Sequence, residues 1–304
     1  MKLGIKVGLR GHPFADIDEA CPEFCEIWFH SGKIEDYDQL FAYLHAHKLE
    51  IGIHFWGALE DGTLANLGYP NKKILQQSLK LVQKTIDTAA KHKAAYVNIH
   101  PSGLRLTRVD FEQEEFAPLP GSVSASQSVE IFTESIIQIS SYAENVGVPI
   151  CLESVPRLAL GRPWHGKNSR INPLEISEMR LAHIEHLFGK IANLYFANDF
   201  GHTVGGIESS DRSYLKSELF HIARRLIPFT KLLHVSYIIP PYNGTDYHGC
   251  LYYDEFTSTE AVPNRSEMIE LLSVYKSFPV FALVEPETNH PRNLRILKAL
   301  VSRD

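Results

Sequence analysis

Long apolar runs, paired cysteines and a surplus of basic charge are all missing from this chain. No stretch approaches the roughly 20 apolar residues of a membrane span, so no membrane partner is expected. The four cysteines, Cys21, Cys25, Cys151 and Cys250, form no CxxC pair, so neither a disulfide framework nor a thiolate metal site is expected. The opening segment MKLGIKVGLRG lacks the apolar core of a signal peptide. Together these absences predict a cytoplasmic protein in a reducing setting. Thirty basic against 36 acidic residues give a formal net charge of −6, so charge alone does not select a nucleic-acid partner. A basic rim or bound cations could still offset it locally. No low-complexity linker interrupts the 304 residues, which predicts a single domain over 1–304. One residue type is in excess: 15 histidines, which lean toward metal chemistry.

Eight strand-like segments recur, at 3–8, 24–29, 49–55, 94–100, 148–154, 194–199, 232–238 and 278–285. They are nearly continuous in apolar character, as in parallel strands covered on one side and filled on the other. Helical patterns lie between them, at 35–48, 72–93, 126–146, 173–189, 214–228, 264–277 and 291–302, with a short one at 13–22. This alternation predicts the α/β fold class and a (β/α)8 TIM barrel. Two long loops, 101–125 and 155–172, follow strands and belong at the functional mouth. The second carries Arg157, Arg162, Lys167 and Arg170, and is expected to bind an anionic group of the substrate.

Five apolar runs end on a metal-binding residue type: His54, His100, Glu153, Asp199 and Glu285. A sixth, L-L-H-V-S-Y, carries His234 within the strand. Two tight pairs sit just beyond strands, Asp199 with His202 and Asp246 with His248. A parallel barrel gathers its strand ends at one mouth, so these nine side chains should converge on a site for more than one divalent ion. Mixed carboxylate and imidazole donors suit Zn, Mn and Fe, with Zn the first expectation. Glu285 and Glu153 are the expected catalytic carboxylates, and Trp56 is expected beside the substrate.

These positions resemble the endonuclease IV family, within the wider xylose isomerase-like group of TIM barrels. The matching strings are IHFWG at His54, NIHPSG at His100, CLES at Glu153, NDFGH across Asp199 and His202, LLHVS at His234, TDYHG across Asp246 and His248, and VEPE at Glu285. The segment ANLGYPNKKILQQSLKLV at 65–82 resembles the family's asparagine–leucine turn and following helix. The resemblance implies three metal ions. His54, His100 and Glu153 would hold the first. Glu153 would bridge to the second, completed by Asp199, His234 and Glu285. His202, Asp246 and His248 would hold the third. It also implies a metal-dependent phosphodiesterase, a hydrolase of the AP endonuclease type acting on abasic DNA or a smaller phosphoester.

The chain departs from the DNA-repair pattern at Gly201, at Tyr247 and along Ser154–Gly161, where that family contacts DNA. The competing expectation is a metal-dependent sugar or sugar-phosphate isomerase or epimerase of the same barrel group. That chemistry needs only Glu153, Asp199, His234 and Glu285, with two carboxylates moving a proton. The five additional ligands favour the first reading. The altered segments and the acidic charge favour the second.

Overall fold

A computed structural model describes residues 1–111, 115–159, 174–175, 178–245, 247–286 and 288–302. Eight parallel strands close a barrel: β1 Lys2–Val7, β2 Phe24–His30, β3 Glu50–Trp56, β4 Tyr96–Ile99, β5 Ile150–Glu153, β6 Leu194–Asp199, β7 Thr230–His234 and β8 Phe281–Val284. Each pairs with its neighbour in the chain, and β8 closes on β1. The (β/α)8 barrel read from the sequence is the fold observed.

The alternation along these strands determines where chemistry can sit. Successive side chains in a strand point to opposite faces. One parity, including Ile5, Ile27, Ile53, Val97, Leu152, Phe196, Leu233 and Ala282, packs outward in the main core. The other parity begins with a separate inner cluster of Phe24, Tyr96, Cys151, Ala197, Leu232, Phe281 and Leu283. Burying each large side chain of this floor contributes about 1.5–3 kcal/mol. Its rings need room that two glycines supply. A Cβ at Gly52 would lie 2.3 Å from Tyr96, and one at Gly4 would lie 2.5 Å from Phe24. Two residues further along the strands, on the same inward parity, come Lys6, Glu26, His54, Asn98, Glu153, Asp199 and His234, then Glu285 just beyond β8. The barrel interior therefore turns from apolar to ionisable in one step.

Helices pack outside, and most sequence expectations hold to within a few residues. Lys72–Lys91 begins at Asn71, whose side chain accepts from the Lys73 and Ile74 amides. Ala125–Asn145 is capped by Ser124, and Arg265–Val274 by a capping box of Asn264 and Glu267. No helix among the described residues is long and apolar enough to cross a membrane.

Three expectations need correction. The helix expected over 173–189 is, among the described residues, only Leu181–Ile184 and a 3-10 turn at Glu185–Leu187. Glu178 instead pairs with Ser102, and the Met179 amide donates to the Pro101 carbonyl at 2.7 Å, so tertiary pairing overrides the helical spacing. The loop 101–125 contains a hairpin, Thr107–Asp110 with Glu115–Pro118. The strand ends also differ: His234 is the last residue of β7, whereas β3 runs two residues past His54 to Trp56.

Candidate metal centre

Each strand places a polar side chain in or just beyond this inward row, ionisable in all but Asn98 of β4. Glu153, the last residue of β5, lies at its centre and is fully buried. Its two oxygens face different neighbours. Oε2 lies 3.7 Å from His54 Nε2 and 3.6 Å from His100 Nε2, and accepts from the Asn98 amide. Oε1 lies 3.1 Å from His234 Nδ1 and 3.2 Å from His202 Nδ1. Burial alone would push the Glu153 carboxyl up, but His234 and His100 outweigh it and hold it well below the usual carboxylate range.

Asp199 both ends β6 and caps the helix Phe200–Gly206. Its Oδ1 accepts from the His202 amide at 2.8 Å and from Ser236 Oγ at 2.5 Å. Its Oδ2 is buried with no hydrogen bond among the described residues, 3.8 Å from His234 Nδ1. A bare buried carboxylate oxygen costs about 1–3 kcal/mol or more unless a cation meets it. Donor atoms of Glu153, Asp199, His234 and Glu285 all lie within 4.8 Å of one another. This oxygen–nitrogen set fits a divalent ion of the Zn, Mn or Fe kind. Donors of His54, His100 and Glu153 converge in the same way.

Two members of the third expected set, His202 and His248, are described. His202 turns its Nδ1 to the Ser154 carbonyl at 3.0 Å and to Glu153. His248 Nδ1 lies 3.9 Å from Glu285 Oε2, and the His202 and His248 rings are 5.5 Å apart. Asp246 lies outside the described residues, as do Arg162, Lys167 and Arg170. Arg157 is described, and its Nε donates to the Gly205 carbonyl at 3.3 Å, bracing the segment after β5. Trp56 stands at the mouth, its ring 5.8 Å from that of His54 and 5.2 Å from that of His100. Its buried indole nitrogen has no hydrogen-bond partner among the described residues.

Three participants escaped the sequence reading. Glu26, in the middle of β2, accepts from Tyr96 OH at 2.9 Å and lies 3.0 Å from His234 Nε2. Lys6, on β1, reaches Glu26 at 3.3 Å and also contacts Glu285 and His54. Glu178 lies 3.7 Å from His100 Nδ1 and helps orient that ring. Parity could have found the first two: each is charged, at an inward position, inside an otherwise apolar strand.

His234 lies between two carboxylates, Glu153 at Nδ1 and Glu26 at Nε2. Burial opposes its charged form, but Glu153 and Glu26 outweigh burial and raise it to about 9. His100 is likewise raised to about 9, Glu153 and Glu178 outweighing burial. A proton on His234 Nδ1 and a cation at the same atom exclude each other. Below about pH 9 metal uptake must therefore expel that proton, and affinity should fall about tenfold per pH unit of acidification. Calorimetry at about pH 7.5, in two buffers of different ionisation enthalpy, should register release of about one proton or more per ion. Equal heats in both buffers would contradict this.

No family model and no curated protein matches this chain. Solved structures do match by shape. A D-tagatose 3-epimerase-like protein superposes with a TM-score of 0.66 at 14% identity, over 99% of this chain and 97% of that one. A 3-keto-D-glucoside 4-epimerase from E. coli gives 0.61 at 15% identity over the whole of both chains. A putative xylose isomerase from Rhodospirillum rubrum gives 0.62 at 14% identity, over 99% and 97%. At these identities the likeness shows the fold, a xylose isomerase-like TIM barrel. The endonuclease IV subfamily gains no support from them.

Proposed function

We propose that this protein is a metal-dependent sugar epimerase or isomerase acting on a ketose. The observation that carries the reading is the meeting of two carboxylates, Glu153 and Glu285, with Asp199 and His234 inside 4.8 Å at the barrel mouth. The epimerases among the solved structures support the same substrate class. Glu153, Asp199, His234 and Glu285 would hold one divalent ion. When bound, that ion supplies Lewis acidity toward the carbonyl and neighbouring hydroxyl of a sugar.

The chain's own groups then handle the proton. One of the two carboxylates removes the proton from the carbon beside the ketose carbonyl, and the C–H electron pair moves into the sugar's enediolate. When the proton leaves C3, the other carboxylate returns a proton to the opposite face of C3, giving the epimer. When it leaves C1, the proton returns to C2 and the O1 hydroxyl proton passes to O2, giving the aldose. Glu26 holds the His234 ring through Nε2, leaving Nδ1 directed at the other three residues. Trp56 offers a ring face to the apolar side of a sugar and an unpaired N–H to a hydroxyl. Arg157, Arg162, Lys167 and Arg170 would recognise a phosphate on a phosphorylated substrate.

One feature favours the phosphodiesterase reading: the second converging group, His54, His100 and Glu153. The two chemistries separate in one experiment. Metal-loaded protein incubated with ketohexoses and ketopentoses in D2O should place deuterium on the carbon beside the carbonyl and yield epimer or aldose. The same protein with a bis-aryl phosphodiester and an abasic oligonucleotide should cleave neither. Cleavage without sugar exchange would reverse the assignment.

A further inference from the structure

A second cation position exists in this chamber, and a side chain already fills it. Glu26, His54, His234 and Glu285 bring four donor atoms within 4.8 Å of one another, on the side of the row away from Asp199. Lys6 Nζ touches three of the four: Glu26 Oε1 at 3.3 Å, Glu285 Oε1 and His54 Nδ1 in direct contact. An ammonium carries three donors and no acceptor. Here it meets three acceptors. A divalent ion bound to the same oxygens would require its donors about 2.0–2.2 Å away, which leaves no space for Nζ.

We propose that Lys6 is a built-in monovalent cation that limits this chamber to one divalent ion. The proposal rests on the reading that Glu153, Asp199, His234 and Glu285 hold that ion. Two effects act together. The ammonium occupies the Glu26–Glu285 seat directly. It also takes the lone pair of His54 Nδ1, so the ring's hydrogen must sit on Nε2, the atom that faces Glu153 Oε2 at 3.7 Å. A protonated Nε2 cannot ligate, so the His54–His100–Glu153 group loses one of its donors. Lys6 is tethered to β1 and its side chain is only 12% exposed, so leaving the seat would strip a mostly buried charge of its acceptors. Four carboxylates, three of them fully buried, then face one ammonium, one divalent ion and the imidazoles, in place of two or three divalent ions.

The test counts ions and does not depend on turnover. Wild-type, Lys6→Ala and Lys6→Arg proteins are stripped, titrated with Mn2+ alone, and freed of excess by gel filtration. Bound metal is then measured per chain, with circular dichroism confirming the fold. We expect one ion in the wild type and in Lys6→Arg, and at least two in Lys6→Ala. Equal counts in wild type and a folded Lys6→Ala would overturn the assignment of Lys6 while leaving the Asp199 site intact. A count of zero in both would overturn that site as well. Two or more ions in the wild type would overturn the proposal alone. Should Lys6→Ala fail to fold, anomalous scattering from Mn2+-soaked wild-type crystals decides. One peak beside Asp199, with Nζ on Glu26 and Glu285, supports the proposal. A peak within ligating distance of Glu26, with Lys6 displaced, overturns it.

Discussion

A Glu285→Gln protein should keep its fold and lose at least about a hundredfold in ketose turnover, the lower range for removing a general base. Gln matches Glu in volume, so packing above β8 survives. The carboxylate charge does not survive, and three groups depend on it: the Lys6 ammonium, His234 Nδ1 at 3.6 Å and His248 Nδ1 at 3.9 Å. Lys6 keeps Glu26 as a partner, which limits the structural damage. A Gln side chain can neither accept nor return a proton at the substrate carbon. Turnover should be measured at saturating metal, with bound metal counted, so that lost binding is not mistaken for lost base. Glu153→Gln should behave alike but also weaken metal uptake, because both its oxygens face imidazoles. A fully metallated Glu285→Gln enzyme turning over near the wild-type rate would remove this residue from the mechanism.

The largest effect on stability should come from Glu26→Ala, about 3–5 kcal/mol of lost folding free energy, the range for deleting one partner of a buried ion pair. Glu26 is fully buried, and three donors converge on it: Tyr96 OH, His234 Nε2 and Lys6 Nζ. Burial alone would push the Glu26 carboxyl up, yet His234 and Lys6 hold it well below the usual range, so it is a charged acceptor in the folded chain. Urea unfolding followed by fluorescence should show the loss, with Glu26→Gln less affected because its amide oxygen still accepts. A loss below about 1 kcal/mol would mean that the neighbours re-pair without Glu26.

The architecture was legible because eight apolar segments alternate with helical ones, and all eight became barrel strands. His54, His100, Glu153, Asp199, His234 and Glu285 were legible for a related reason: strand ends converge by geometry, whatever the rest of the sequence does. What escaped was chemistry carried inside strands. Glu26 stands in F-C-E-I-W-F-H and Lys6 in K-L-G-I-K-V, where hydrophobic patterning dominates and the two-residue period must be followed inward from Phe24 and Gly4. Glu178 escaped because the apolar spacing of its neighbours suits a helix, while long-range pairing with Ser102 draws it out straight. The bridging place of Glu153 came from the resemblance, and the structure sets its two oxygens toward different imidazoles.

The apolar floor of Phe24, Tyr96, Phe281 and Leu283 makes the barrel a cul-de-sac. Everything that enters must leave through the same doorway, so arrivals and departures follow a last-in, first-out order. A sugar of the proposed kind, seated at that doorway, would stand between the deepest ligands and bulk solvent. In queueing terms the ion would then be the first admitted and the last to go, and a chelator would have to wait for the sugar to vacate.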